Sequence, residues 1–87
     1  MNHNISIAIS PNPTASDIVV NLLAEKATDM ELSIIDLAGK VITSKSFDAV
    51  TELKEDFNLS KLSNGIYIIH VNTKDGVQTQ KFVVNKQ

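Results

Sequence analysis

The sequence predicts an all-β protein, and three observations support this prediction. The β-branched residues are numerous, with ten Ile, eight Val and six Thr among 87 residues, and such residues favour strands. They occur in runs in which apolar and polar side chains alternate, which is the period of a half-buried strand. Short groups of Pro, Gly, Asn and Asp separate the runs, and these residues are typical of turns.

The first two predicted strands flank a proline corner. Ile residues alternate with small side chains over positions 5–10, and this run ends at residues 11–13, Pro-Asn-Pro. Two prolines end the strand because neither has a backbone N–H to donate. Positions 17–23 repeat the alternation and form the second predicted strand. The polar residues 25–29 that follow are predicted to form a loop.

A tight hairpin is predicted next. Strands at 30–37 and 40–47 flank the turn sequence Asp-Leu-Ala-Gly, in which Asp36 takes the first position and Gly39 the position that needs a positive φ. Residues 48–56 are polar and acidic. They are predicted to form a solvated loop, because charge runs in small domains usually face water.

The last third of the chain is predicted to contain three more strands. A short fifth strand at 57–59 precedes a helical turn capped by Ser60. A Ser-Asn-Gly turn then leads to the longest predicted strand, at 66–73. The turn at 74–76 reverses the chain into a seventh strand at 77–85.

Seven short strands at this spacing predict an immunoglobulin-like antiparallel β-sandwich, with a small barrel as the alternative. Tyr67, near the start of the sixth predicted strand, occupies the position of the tyrosine corner in such sandwiches. The chain is interpreted as one domain over residues 5–87, preceded by a disordered tail or linker remnant at residues 1–4. Because the last predicted strand runs almost to Gln87, any partner domain is expected before Ile5.

Composition and charge weigh against several classes of function. The net charge is −2, and all eight basic residues are lysines, whereas nucleic-acid-binding proteins usually present a basic face with Arg; we expect no nucleic-acid partner. The absence of Cys excludes disulfides, thiol chemistry and a Cys-based zinc site. No stretch approaches the roughly 20 apolar residues of a membrane helix, and the opening residues lack the features of a signal peptide.

Residues that could carry catalysis are few and dispersed. His3 and His70 lack the spacing of a zinc-binding pair, and His70 is interpreted as a surface histidine. The acidic residues of 48–56 lack the regular calcium-loop pattern, and the glycines form no phosphate cradle. We therefore expect no enzyme activity, no catalytic residue, no metal and no cofactor. The aromatic residues are predicted to pack in the core, the alternative being a stacking platform for sugars.

Four segments resemble the C-terminal sorting domain of the type IX (Por) secretion system. They are residues 7–14 (Ile-Ala-Ile-Ser-Pro-Asn-Pro-Thr), 35–41 (Ile-Asp-Leu-Ala-Gly-Lys-Val), 62–67 (Leu-Ser-Asn-Gly-Ile-Tyr) and 81–84 (Lys-Phe-Val-Val). Their order and spacing match over nearly the whole chain, although residues 48–56 are longer and more acidic than the family pattern. The residues predicted to maintain the fold or to be recognised are Pro11, Asn12, Pro13, Asp36, Gly39, Gly65, Tyr67, Lys81, Phe82, Val83, Val84 and Lys86.

This resemblance implies an immunoglobulin-like domain at the C-terminus of secreted or cell-surface proteins of Bacteroidota. Such a domain directs the upstream cargo domain of the same polypeptide from the periplasm across the outer membrane. The implied partners are the outer-membrane type IX translocon, a shuttle protein and a sortase-like protease that removes the domain at the surface. We expect Lys81 and Lys86 to be exposed features that the translocon recognises.

The isolated domain is expected to be a monomer. The alternative function is an immunoglobulin-like accessory module of a secreted protein, which binds carbohydrate or acts as a spacer.

Overall fold

A computed structural model describes residues 5–86 of the chain. These residues form five strands and no helix. Within them, no helical segment has the length and apolarity needed to cross a membrane. The strands are β1 (Ile5–Ser10), β2 (Asp17–Asp36), β3 (Val41–Asn58), β4 (Gly65–Thr73) and β5 (Gly76–Val84). The all-β prediction is confirmed, with five strands instead of seven; the predicted tail at residues 1–4 lies outside the described residues.

Two predicted loops are continuous strand in the structure. Residues 25–29 lie within β2 and residues 48–56 lie within β3, so each long strand contains what the sequence predicts as two. β2 and β3 pair antiparallel along their lengths, with two shifts of register at these polar segments and a third between Ile34 and Ile35, near the hairpin turn. β-Bulges absorb the extra residues without ending the pairing. The loop predictions were therefore wrong, because bulged strand segments that face water carry as many polar residues as a solvated loop.

The main bulge lies at the middle of β2. Four residues of β2 separate Leu23 from Thr28, whereas a single residue of β3 separates their partners Glu52 and Val50. A second shift follows, and there Ala49 has a φ of 52°, in the left-handed region. The backbone N–H of Ala49 donates to the Oδ1 of Asp29 at 2.8 Å, a contact between the two strands within this second bulge.

β2 must bend, because its length exceeds the size of the molecule. A straight strand of 20 residues would span about 63 Å, whereas the longest dimension of the fold is 41 Å. The N-terminal half of β2 pairs with β1, and its C-terminal half pairs with β4, which in turn pairs with β5. The result is one curled antiparallel sheet, and the predicted sandwich of two separate sheets is not confirmed.

The hydrophobic core lies on the inner face of the curled sheet. Even-numbered residues of β2 face it on both sides of the bend, from Ile18 to Ile34. Alternate residues of β4 and β5 complete it. Of the four aromatic residues, three are buried and Phe47 is half-buried against the core, which confirms their predicted packing role. The buried hydrophobic residues are Ile18, Val20, Leu22, Met30, Leu32, Ile34, Phe57, Leu59, Tyr67, Ile69, Val71, Phe82 and Val84.

The segment between β3 and β4 is a turn, not the predicted helical turn capped by Ser60. The N–H of Leu62 donates to the carbonyl oxygen of Leu59 at 3.0 Å, which closes a single turn. The Oδ1 of Asn58 accepts from the N–H of Ser60 at 2.9 Å, so Asn58 supplies the side-chain cap instead. Asn is well suited to this position because its short side chain reaches a backbone N–H two residues on.

Candidate recognition site

The proline corner lies against the outer edge of β5. The N–H of Val83 donates to the Oδ1 of Asn12 at 3.0 Å, and the N–H of Thr14 donates to the carbonyl oxygen of Val83 at 2.9 Å. The N–H of Asn85 donates to the carbonyl oxygen of Thr14 at 2.8 Å. Thr14 thereby forms a parallel bridge with Val84. This contact covers the C-terminal end of an edge that β5 would otherwise expose.

Thr14 anchors the proline corner to the core. Its side chain is only 1% exposed. The hydroxyl donates to the carbonyl oxygen of Asp17 and accepts from the N–H of Ser16 at 3.3 Å. The carbonyl oxygen of Ser16 in turn accepts from the N–H of the buried Leu59 at 2.8 Å. Both prolyl peptide bonds of the corner are cis.

Tyr67 ties the start of β4 to the preceding turn. Its hydroxyl donates to the carbonyl oxygen of Ser63 at 2.8 Å, and its ring stacks on Phe82 with centroids 6.0 Å apart. A tyrosine hydroxyl that bonds the backbone a few residues upstream is the contact that defines a tyrosine corner. The structure therefore supports the analogy drawn from the position of Tyr67 in the sequence.

The turn before β4 also holds the residues that follow β5. The N–H of Lys86 donates to the Oδ1 of Asn64 at 2.8 Å, and its Nζ donates to the carbonyl oxygen of Ser60 at 2.6 Å. Lys86 is half-buried by these contacts, whereas Lys81 on β5 is exposed. Of the two lysines predicted to be recognised, Lys81 is thus the more accessible, and the recognition of either one stays a prediction.

The hairpin between β2 and β3 has the predicted turn. The Oδ1 of Asp36 accepts from the N–H groups of Ala38 and Lys40, both at 2.9 Å. The N–H of Gly39 donates to the carbonyl oxygen of Asp36 at 3.0 Å. Gly39 has a φ of 89°, a conformation that side chains with a Cβ rarely adopt. Asp36 therefore closes the turn with its side chain, and Gly39 permits the reversal.

The four motifs predicted from the sequence meet at one end of the sheet. Gly65 lies opposite Val84, and Tyr67 lies opposite Phe82, in the ladder between β4 and β5. The proline corner covers the edge of the same part of β5. Asp36 lies opposite Tyr67 in the ladder between β2 and β4, which brings the hairpin to the same end.

Two residues that hold this end together were not among the predicted site residues. In the sequence, Thr14 is the last residue of the first motif, and Asn64 lies in the third motif and in its turn. Their main partners lie far along the chain, at Val83 and Lys86. A local sequence pattern does not indicate such distant contacts. The sequence shows only that a Thr directly follows the proline corner and that an Asn directly precedes a turn Gly.

The described residues contain no arrangement for metal-dependent chemistry. His70 lies on β4 between Ser33 and Thr79 of the neighbouring strands. Within residues 5–86, no three His, Cys, Asp or Glu side chains are grouped so that they could hold a metal ion; His3 lies outside this range.

The chain is similar to a known family and to solved structures. A family model described as the secretion system C-terminal sorting domain matches residues 8–85. Among solved structures, the chain is similar to the crystal structure of dimeric latent PorU from Porphyromonas gingivalis, with a TM-score of 0.73 and 17% sequence identity. That likeness covers 100% of this chain and only 10% of the other chain, and at this identity it concerns the fold. No curated protein matches the sequence.

Proposed function

Because the chain belongs to the family of type IX secretion C-terminal sorting domains, we propose that it directs an upstream cargo across the outer membrane. The match over residues 8–85 is the observation that carries this proposal. It also confirms the resemblance predicted from four short segments. A protein that carries such a domain is secreted or displayed on the cell surface.

The proposed route follows from the family. A cargo domain of the same polypeptide is delivered to the periplasm, and the folded sorting domain is then recognised by the outer-membrane type IX translocon and its shuttle protein. A sortase-like protease removes the domain at the surface. Neither a catalytic residue nor a cofactor of this chain takes part in these steps.

The edge of β5 supports recognition by strand addition. The N–H and the carbonyl oxygen of Val83 both point away from β4, since Asn12 and Thr14 bind them. Backbone groups two residues apart on a strand point to the same side. The groups of Lys81 and Thr79 therefore lie on the same edge, beyond the proline corner. β1 lies close to this part of the edge, where Ile5 and Ile7 line a cavity together with residues 78–80. An added strand gains main-chain hydrogen bonds at such an edge.

A reporter fusion tests the proposed function. Residues 1–87 are placed behind a signal peptide and a fluorescent reporter, in a host with the type IX system and in the same host lacking its translocon. We expect the reporter at the cell surface or in the medium of the intact host alone. The reporter without residues 1–87 serves as the control and should stay in the periplasm of both hosts.

Retention of a stable, folded fusion in both hosts would contradict the sorting function. The accessory-module alternative would then come first, as a spacer rather than as a sugar-binding module. A sugar-binding platform needs exposed, coplanar aromatic rings. Here Phe57, Tyr67 and Phe82 are buried and Phe47 is half-buried, so the aromatic residues offer no such platform.

A further inference from the structure

The outer face of the sheet carries an apolar patch at the end where the motifs meet. Residues paired on neighbouring antiparallel strands lie side by side on the same face. One such row runs across four strands, from β3 to β5, and an adjoining pair joins β4 to β5. At the β3 end of the row, the register between β2 and β3 shifts between Ile34 and Ile35, where Val41 is the partner of Ile35. We call their five apolar members the outer apolar patch: Ile35, Val41, Ile66, Ile68 and Val83.

The outer apolar patch does not belong to the core. Val41 is 56% exposed, Ile66 is 39% exposed and Val83 is 37% exposed. Their neighbours along β4 and β5, Tyr67 and Phe82, point to the opposite face and are buried. Contiguous apolar surface of this kind marks a site of interaction, whereas single exposed apolar residues do not.

Polar residues and lysines border the patch. The next row across the same strands is polar, and in it the hydroxyl of Ser33 donates to that of Ser44 at 3.2 Å. Lys81 is paired with Ile68 at the β5 end of the apolar row, and Lys40 precedes Val41 at the β3 end. No carboxylate of the part of the chain that the structure describes forms an ion pair with either lysine.

We propose that the outer apolar patch is the docking surface for a protein of the secretion machinery that presents an apolar area bordered by carboxylates. This inference rests on the proposed function and names the surface through which it acts. The row spans four strands, or about 14 Å at ~4.8 Å between strands. A stable interface covers about 800 Å² on each partner, with an apolar centre and a polar rim. The patch supplies the centre, and Lys40 and Lys81 supply a positive rim that sets the register of the partner.

The docking surface is distinct from the edge of β5. An added strand would bind backbone groups and tolerate changes of outward side chains, whereas a docked surface depends on those side chains. Substitutions of side chains on the outer face, with the backbone unchanged, therefore test the patch specifically.

The first experiment replaces two side chains of the patch in the reporter fusion. Ile66→Thr with Val83→Thr keeps β-branched residues on both strands, so the strand preference is retained. We expect surface export to fall at least about tenfold, since side chains at the centre of an interface each carry a large share of the affinity. Val77→Thr is the matched control, because Val77 is 53% exposed on the outer face of the same strand, outside the patch. Its export should stay within about twofold of the parent.

The second experiment tests the charge of the partner. Lys81→Glu should lower export several-fold, since it places a carboxylate against carboxylates. Lys74→Glu is the control, because Lys74 lies in the turn between β4 and β5 and is exposed there. Equal export of both variants would refute the acidic border of the partner.

The outcomes separate the docking proposal from the sorting function. Thermal unfolding of each purified fusion shows that the variants remain folded. A folded double variant exported like the parent overturns the docking surface and leaves the sorting function intact. A parent fusion that is not exported overturns the sorting function itself. If sedimentation shows a dimer of the parent that the Ile66→Thr, Val83→Thr variant abolishes, the occupant is a second copy of this chain and the proposed partner is wrong.

Discussion

Replacing Thr14 with valine tests whether a single hydroxyl anchors the proline corner. Valine preserves the shape and the β-branch of the side chain but removes the hydrogen bonds to Asp17 and Ser16. Because Thr14 is 1% exposed, water does not readily replace these bonds. Losing these two hydrogen bonds costs about 2 kcal/mol, at about 1 kcal/mol each. In a chain of this length, that loss lowers the Tm by about 8–16 °C.

Thermal unfolding followed by circular dichroism measures this effect. Thr79→Val is the control, because Thr79 is exposed on β5 and its replacement should change the free energy of unfolding by no more than about 0.5 kcal/mol. Hydrogen exchange of the Asn85 amide, which donates to Thr14, should become faster in the Thr14→Val variant. A Thr14→Val protein with the Tm of the parent would refute the role given to this hydroxyl.

Three further substitutions test other features through the free energy of unfolding. Ala49→Gly should stabilise the fold by about 0.5–1 kcal/mol, because glycine adopts the left-handed φ of this position without strain; a loss of stability would refute that strain. Tyr67→Phe should cost about 1–2 kcal/mol, because the hydroxyl bond to Ser63 is lost; an unchanged urea midpoint would contradict the tyrosine corner. Gln78→Met should stabilise by about 1 kcal/mol, since the buried Oε1 of Gln78 has no hydrogen-bond partner among the described residues. A lower midpoint for Gln78→Met would show that this oxygen is satisfied in solution.

The strands with clean alternation and strong turn residues were predictable from the sequence. β1 has the predicted bounds. β4 begins one residue earlier than predicted, and β5 both begins and ends one residue earlier. The turn at Asp36 and Gly39 was predictable because these two residues interact within four positions of the chain. Local patterns are sufficient wherever the interactions that select the structure are themselves local.

The two long strands were not predictable in the same way. The segment around Lys26 is polar, and a polar run between two apolar runs is typical of a loop. Pairing with β3 keeps it extended, since the bulge places the surplus residues outside the ladder while even-numbered residues on both sides still face the core. β3 is exposed along most of its length, so its acidic residues face water as they would in a loop.

The candidate recognition site was predictable as a set of residues but not as an arrangement. The sequence identifies Asn12 and Val83 as members of two motifs, yet their hydrogen bond joins positions 71 residues apart. The outer apolar patch likewise depends on the register of four strands. Such contacts become visible only when the strand order is known.

The bridge between Thr14 and Val84 affects how fast the domain folds and at what point of its synthesis it can fold. It closes a loop of about 70 residues, and the entropic cost of such a closure is about 4 kcal/mol beyond a constant term. A fold dominated by distant pairings forms slowly compared with one built from neighbours in the chain. A polypeptide is synthesised from its N-terminus, so it cannot complete this fold until residue 84 has been added. The folded domain thus exists only in chains that have been made through to β5, and an incomplete chain lacks it.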